Sequence, residues 1–164
     1  TDEPFSDDDW IYERKLDGER CLGFCTDGEA RLVSRSGKSL DATYPELVDA
    51  LAVSTDGDIV VDGEVVAFEG SVTSFSRLQG RMQLSDPDEA RRSGIAVHFY
   101  LFDLLHLDGH DTTALALRDR KRLLRHAVDF NEPIRFCVHR NAEGILELPI
   151  ACAINPPFCR VFIT

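Results

Sequence analysis

Residues 12–20 read Tyr-Glu13-Arg-Lys15-Leu-Asp17-Gly18-Glu-Arg20, directly after an apolar pair. A lysine two residues before Asp-Gly has two readings. It is a solvated charge at a hairpin tip, where Asp-Gly is a favoured turn pair, or it is an amine nucleophile. A nucleophilic lysine must be neutral, and its ordinary pKa of about 10.4 falls that far only through nearby positive charge or desolvation. Taken alone, the segment favours the hairpin tip, since one short motif carries little weight. Three further segments shift the balance: Ser34-Arg35-Ser36-Gly37, Val61-Asp62-Gly63-Glu64-Val65-Val66 and Tyr100-Leu101-Phe102-Asp103-Leu104-Leu105. Each suits the surroundings of a nucleotide, and each falls at a strand end or a turn.

The elements that must position these residues are legible from periodicity. A strand over 10–15 is predicted to set Ile11, Glu13 and Lys15 on one face. Asp17-Gly18 then turns the chain, a strand over 20–25 returns, 26–28 turn again, and 30–35 form a third strand, which together make an antiparallel meander. Thr43-x-Pro45-Glu46 has the spacing of a capping box and predicts a helix to about residue 52. Residues 59–68, interrupted by Asp62-Gly63, read as a strand pair or one bulged strand. A helix carrying Phe75, Leu78 and Met82 follows, then a polar segment rich in Asp and Arg. The most apolar run, 95–105, is predicted as a central strand with a turn after it at 107–109. A basic amphipathic helix over 117–128 and a strand over 134–138 complete the series. Strands and helices alternate without a regular βαβ rhythm, which predicts an α+β fold of antiparallel sheets flanked by helices.

In this order and spacing, the four motifs resemble those of covalent nucleotidyltransferases: ATP-dependent DNA ligases, RNA ligases and mRNA capping enzymes. Residues 75–82 (Phe-Ser-Arg-Leu-Gln-Gly-Arg-Met) and 102–109 (Phe-Asp-Leu-Leu-His-Leu-Asp-Gly) are similar to DNA-ligase segments rather than capping-enzyme ones. The likeness runs over about residues 4–144 and is strongest toward the ATP-dependent ligases of bacterial end joining, the ligase D type. It implies the ATP-grasp-like nucleotidyltransferase domain, with Lys15 attacking the α-phosphate of ATP to hold AMP through a P–N bond. It further implies that Glu13 contacts adenine, that Arg20 and Arg35 bind ribose or phosphate oxygens, and that Phe102 stacks on adenine. Glu64 would accept from a ribose hydroxyl or hold a metal, and magnesium or manganese would assist pyrophosphate departure. The implied partners are ATP, nicked or broken DNA bound through the complete enzyme, and other end-joining repair proteins. Without the resemblance, Phe102 reads as a core aromatic and Glu64 as a solvated acid at a bulge. Asp17 reads equally as an orienting acid and as a turn residue.

The family continues with Glu-Gly-x-x-x-Lys, then a Lys-x-Lys pair, before an oligonucleotide-binding domain. Here Glu143-Gly144-Ile145 is followed by Leu146, Glu147 and Leu148, and the last lysine of the chain is Lys121. Residues 145–164 hold two charged residues and three prolines, against 29% charged residues over the whole chain. The expected organisation is a partial adenylation domain over 1–144, an atypical tail over 145–164 and no oligonucleotide-binding domain. Such a chain is expected not to seal a nick alone. An RNA ligase or capping-type nucleotidyltransferase and a non-catalytic nucleotide-binding module are the alternatives.

Composition bounds these readings. The 164 residues, 43% of them hydrophobic, can bury one sizeable core. No apolar run reaches the roughly 18 residues of a membrane span, and the acidic start is unlike a secretory signal, so a soluble, cytoplasmic protein with no membrane partner is expected. A net charge of -11 argues against nonspecific nucleic-acid binding by the surface as a whole. The five cysteines, at 21, 25, 137, 152 and 159, make no even framework and no paired clamps, and are expected to be reduced and buried. The five histidines show no metal-ligand spacing.

Overall fold

Short apolar stretches punctuated by Gly, Asp and Pro fold into strands and helices in this computed structural model, which describes residues 10–141 and 160–163. In chain order they are β1 (Trp10–Glu13), β2 (Glu19–Thr26), β3 (Glu29–Ser34), α1 (Pro45–Ala52), β4 (Ile59–Glu69), β5 (Val72–Thr73), α2 (Phe75–Met82), α3 (Pro87–Arg92), β6 (Val97–Leu107), β7 (His110–Asp111), α4 (Leu117–Ala127), β8 (Ile134–Phe136), β9 (His139–Asn141) and β10 (Arg160–Ile163). The larger sheet runs β3-β2-β4-β6-β7, with β5 on β4 and β8 on β6; a smaller sheet runs β10-β1-β9. All these pairings are antiparallel except β6 with β8, which is parallel. The α+β architecture is therefore the predicted one, with one parallel pair added.

The central pair β4 and β6 separates the core from the opposite face. On β4 the odd positions Ile59, Val61, Val65 and Ala67 enter a core shared with Cys21, Leu32, Leu47, Leu51, Phe99, Leu101, Leu104 and Leu124. The even positions Asp62, Glu64 and Val66 alternate with them, as strand periodicity requires. The register with β6 slips between Asp62 and Gly63, so that Leu101 faces Gly63, Asp103 faces Asp62 and Phe102 is the extra residue. A bulge of this kind re-aims a side chain: Leu101 and Leu104 both reach the core, while Phe102 packs separately with Leu16, Val66 and Cys137.

Three sequence expectations change. The first strand ends at Glu13 and belongs to the small sheet, so Lys15 does not lie on a strand face with Glu13 and the opening is not a three-strand meander. Residues 14–18 instead cross between the sheets. Gly18 serves close approach there, because a Cβ would sit 2.1 Å from the Val65 carbonyl oxygen. The capping box does not form: the Thr43 hydroxyl donates to the Leu84 carbonyl at 2.9 Å, and Glu46 accepts from Arg81. The polar segment after α2 contains α3, begun by Asp86 accepting from the Glu89 N–H at 2.9 Å, followed by Pro87 in the first turn.

Cys21, Cys25 and Cys137 are buried free thiols, as expected. Burial pushes Cys21 up to about 12, so it stays protonated and inert. Cys152, Cys159, Glu143-Gly144 and most of the 145–164 tail lie outside the described residues. Among the described residues, no helix is long and apolar enough to cross a membrane.

Candidate functional site

The end of β1, the crossing segment after it, β4, β6 and the link from β8 to β9 meet at one crevice. Its lining is Glu13, Arg14, Leu16, Glu64, Phe102 and Cys137. Glu13 and Glu64 are 3% and 5% exposed, and Phe102 is equally buried. Lys15 is itself exposed, and its two neighbours in sequence form part of the crevice wall. Asp17 is exposed on the same crossing segment.

A second, wider cleft of about 480 Å³ adjoins through Arg20 and is lined by Glu19, Arg20, Ser34, Arg35 and Ser36. It presents two guanidinium groups, two hydroxyls and the Glu19 carboxylate. Glu19 is held from behind by the Tyr44 hydroxyl, which donates to it at 2.6 Å.

Arg20 links the two hollows. It lies across from Glu64 in the β2–β4 register, and its guanidinium carbon is 5.6 Å from the centroid of the Phe102 ring. Asp62, two residues before Glu64 on the same face, grips Arg20 through Nε at 3.0 Å and Nη2 at 2.5 Å. That hydrogen bond is the main reason the Arg20 pKa is raised further, so the group is a fixed positive charge.

The structure thus brings Glu13, Glu64 and Phe102 into one crevice and sets Arg20 and Arg35 in the second cleft, while Lys15 is exposed and lines neither. Sequence reasoning gave no role to Asp62, Leu16, Cys137 or Lys121. Leu16 and Cys137 carry no sequence signal beyond being apolar. Lys121 did carry one, a cation at helical spacing between Leu117 and Leu124.

His139, on β9, stands near Lys121, Arg118 and Arg125; burial first, then these charges, hold its pKa below the usual 6.5. The folded state then binds fewer protons than the unfolded one, so stability falls as pH drops through about 6.5 and levels off below the folded value. Urea unfolding from about pH 7.5 to about pH 5.5 should show this loss, and His139→Gln should flatten that part of the profile.

The chain is similar to known proteins in both sequence and fold. Residues 3–149 match the family model of the ATP dependent DNA ligase domain. The multifunctional non-homologous end joining protein LigD of Mycobacterium bovis is 38% identical over 116 residues, covering 70% of this chain and 14% of that protein. A DNA ligase of Sulfolobus acidocaldarius is 30% identical over 142 residues, covering 84% of this chain and 24% of that one. The chain therefore spans less than a quarter of the length of these relatives. Among solved structures, the ligase domain of LigD from M. tuberculosis superposes with a TM-score of 0.69 at 33% identity, covering 85% of this chain and 42% of that chain. A mycobacterial DNA ligase D complexed with ATP and MES gives 0.67 at 32% identity, covering 85% and 43%. With a match over nine-tenths of its length, the chain belongs to the ATP-dependent DNA ligase domain family.

Proposed function

We propose that this chain is the nucleotide-binding part of an ATP-dependent DNA ligase and that Lys15 becomes covalently adenylylated. The observation that carries the reading is the join between two unlike hollows: a buried crevice with an aromatic wall, lined by both sequence neighbours of Lys15, and an open cleft carrying Arg20 and Arg35, with Arg20 also set over the Phe102 ring of the first. That division suits a nucleotide, base in one part and phosphates in the other. Phe102 would stack on adenine and Glu13 would accept from its amino group, while Glu64 would accept from a ribose hydroxyl. Arg20 and Arg35 would hold phosphate oxygens.

The reaction forms one N–P bond between Lys15 Nζ and the α-phosphorus and breaks the P–O bond to pyrophosphate, which leaves; the amine gives up a proton to solvent. The residues around it orient the phosphorus and offset its charge. The crevice encloses only about 10 Å³, about the room of one water, so its walls must part as a base enters.

Among the described residues, no three His, Cys, Asp or Glu side chains converge as a metal cage. In the alternative role that the resemblance gives Glu64, this carboxylate would hold a magnesium or manganese ion together with the nucleotide's own phosphates, the usual mode for a metal at a nucleotide. The ion would supply charge neutralisation on the leaving group. Residues 1–144 would form the partial adenylation domain. Sealing of broken DNA, and contact with other end-joining proteins, would belong to the complete enzyme in the bacterial cytoplasm.

The test is transfer of radiolabel from α-labelled ATP or GTP to the chain, with magnesium or manganese. Label from ATP supports the reading; label from GTP alone points to capping-type chemistry. Nucleotide binding without label leaves a non-catalytic module.

A further inference from the structure

The buried stripe of α4 is Leu117, Lys121 and Leu124. A lysine stands where the helix period calls for an apolar residue, and its side chain is 0% exposed. Burying an ammonium is costly unless it is paired and hydrogen-bonded. An ammonium has three donors and no acceptor, and Lys121 finds three acceptors: the Glu13 carboxylate, the Phe102 carbonyl at 3.1 Å and the Cys137 carbonyl at 3.0 Å. The Phe136 ring centroid lies 4.7 Å away, a further favourable contact for the cation.

These acceptors sit on three separate walls of one hollow. Glu13 ends β1 in the small sheet, Phe102 is the bulge residue of β6 in the large sheet, and Cys137 follows β8. All three line the crevice beside Lys15. The next residue, Asp103, is gripped from the same helix by Arg120 at 2.7 and 2.9 Å. One helix therefore fixes the Phe102 bulge at two consecutive residues and ties the small sheet to it.

We propose that Lys121 is the positioning residue of the nucleobase crevice and, by holding Glu13 against the Phe102 wall, sets its preference for adenine over guanine. The inference rests on the nucleotide reading given above. With its carboxylate bound to Lys121, Glu13 is kept in place as an anionic acceptor. Adenine offers an amino donor at the ring position where guanine offers a carbonyl oxygen, so a fixed acceptor favours the first and repels the second. A helix anchor of purely structural importance would affect stability without changing the choice of base.

The test is calorimetric binding of AMP and of GMP to the full chain, neither of which can transfer a nucleotide with loss of pyrophosphate. For the wild type, AMP should bind at least about tenfold more tightly than GMP. Glu13→Gln and Lys121→Met should each cut that preference to about threefold or less, and the double variant should bind AMP no more weakly than Glu13→Gln alone, because the two residues act as one unit. The double variant leaves no unpaired buried charge, so it gives a reading even if Lys121→Met fails to fold. A folded Lys121→Met chain with wild-type preference, or a double variant in which the two losses in AMP affinity add, would overturn the proposal. A wild-type chain that binds neither nucleotide would instead remove the nucleotide reading beneath it.

Discussion

Alanine at position 15 is expected to reduce covalent transfer of AMP to the chain by more than about 10³-fold, because removing a nucleophile removes the step itself. The chain has three lysines, Lys15, Lys38 and Lys121. Lys121 is sealed in the interior with all its donors engaged, and Lys38 lies in the turn after β3, outside the lining of the crevice. Neither can take over. Binding of AMP itself should weaken by less than about tenfold in Lys15→Ala, since an exposed side chain beside the crevice contributes little to holding the base. A labelled Lys15→Ala chain would show that the nucleophile had been misassigned.

A large loss of stability is expected from Arg81→Met. Arg81 is 1% exposed and unites four segments: Nε donates to the Thr43 carbonyl at 2.9 Å, Nη1 to the Ile95 carbonyl at 3.1 Å and to the Ser93 hydroxyl at 3.3 Å, and Nη2 to both oxygens of Glu46 at 2.7 and 2.5 Å. Methionine fills much of the volume but leaves two carbonyls and a partly buried carboxylate without their donor. Breaking a buried pair from one side costs about 3–5 kcal/mol. Glu46, 29% exposed, can partly hydrate, which puts the expected loss near the lower end, about 3 kcal/mol. Urea denaturation measures it, and a loss below about 1 kcal/mol would show that the network is redundant.

What the sequence disclosed, and what it hid, follows from the range of the interactions. Asp27-Gly28 and Asp108-Gly109 were readable as hairpin turns because the turn chemistry is local, and all four residues do adopt positive φ, at 53°, 76°, 47° and 82°. Asp17-Gly18 has the same letters and is no hairpin, because β2 takes β4 as its second neighbour and β1 pairs in another sheet. A dipeptide reports how the backbone can bend and does not report which strand arrives beside it. The capping box failed for a similar reason: Thr43 and Glu46 found partners at Leu84 and Arg81, about forty residues away, that outcompeted local capping.

The same division applies to the site. Glu13, Arg20, Arg35, Glu64 and Phe102 stood out through motif order. Their supports did not stand out, since Asp62 meets Arg20 from 42 residues away and Lys121 meets Glu13 from 108. Lys121 nonetheless left a trace: Leu117, Lys121, Leu124 and Val128 follow helical spacing, and a cation in that stripe must find an anion in the interior. Treating the helix only as basic and amphipathic concealed that one of its charges faces inward.

The most direct test of the central claim is mass spectrometry of the intact chain after incubation with ATP and magnesium or manganese, followed by peptide mapping. With only three lysines to distinguish, the assignment is unambiguous. The account predicts a mass increase of one AMP group, located on the peptide bearing Lys15 and removed when excess pyrophosphate reverses the step. An adduct on Lys38 or on a residue other than lysine, or no adduct in a chain that demonstrably binds AMP, would contradict it.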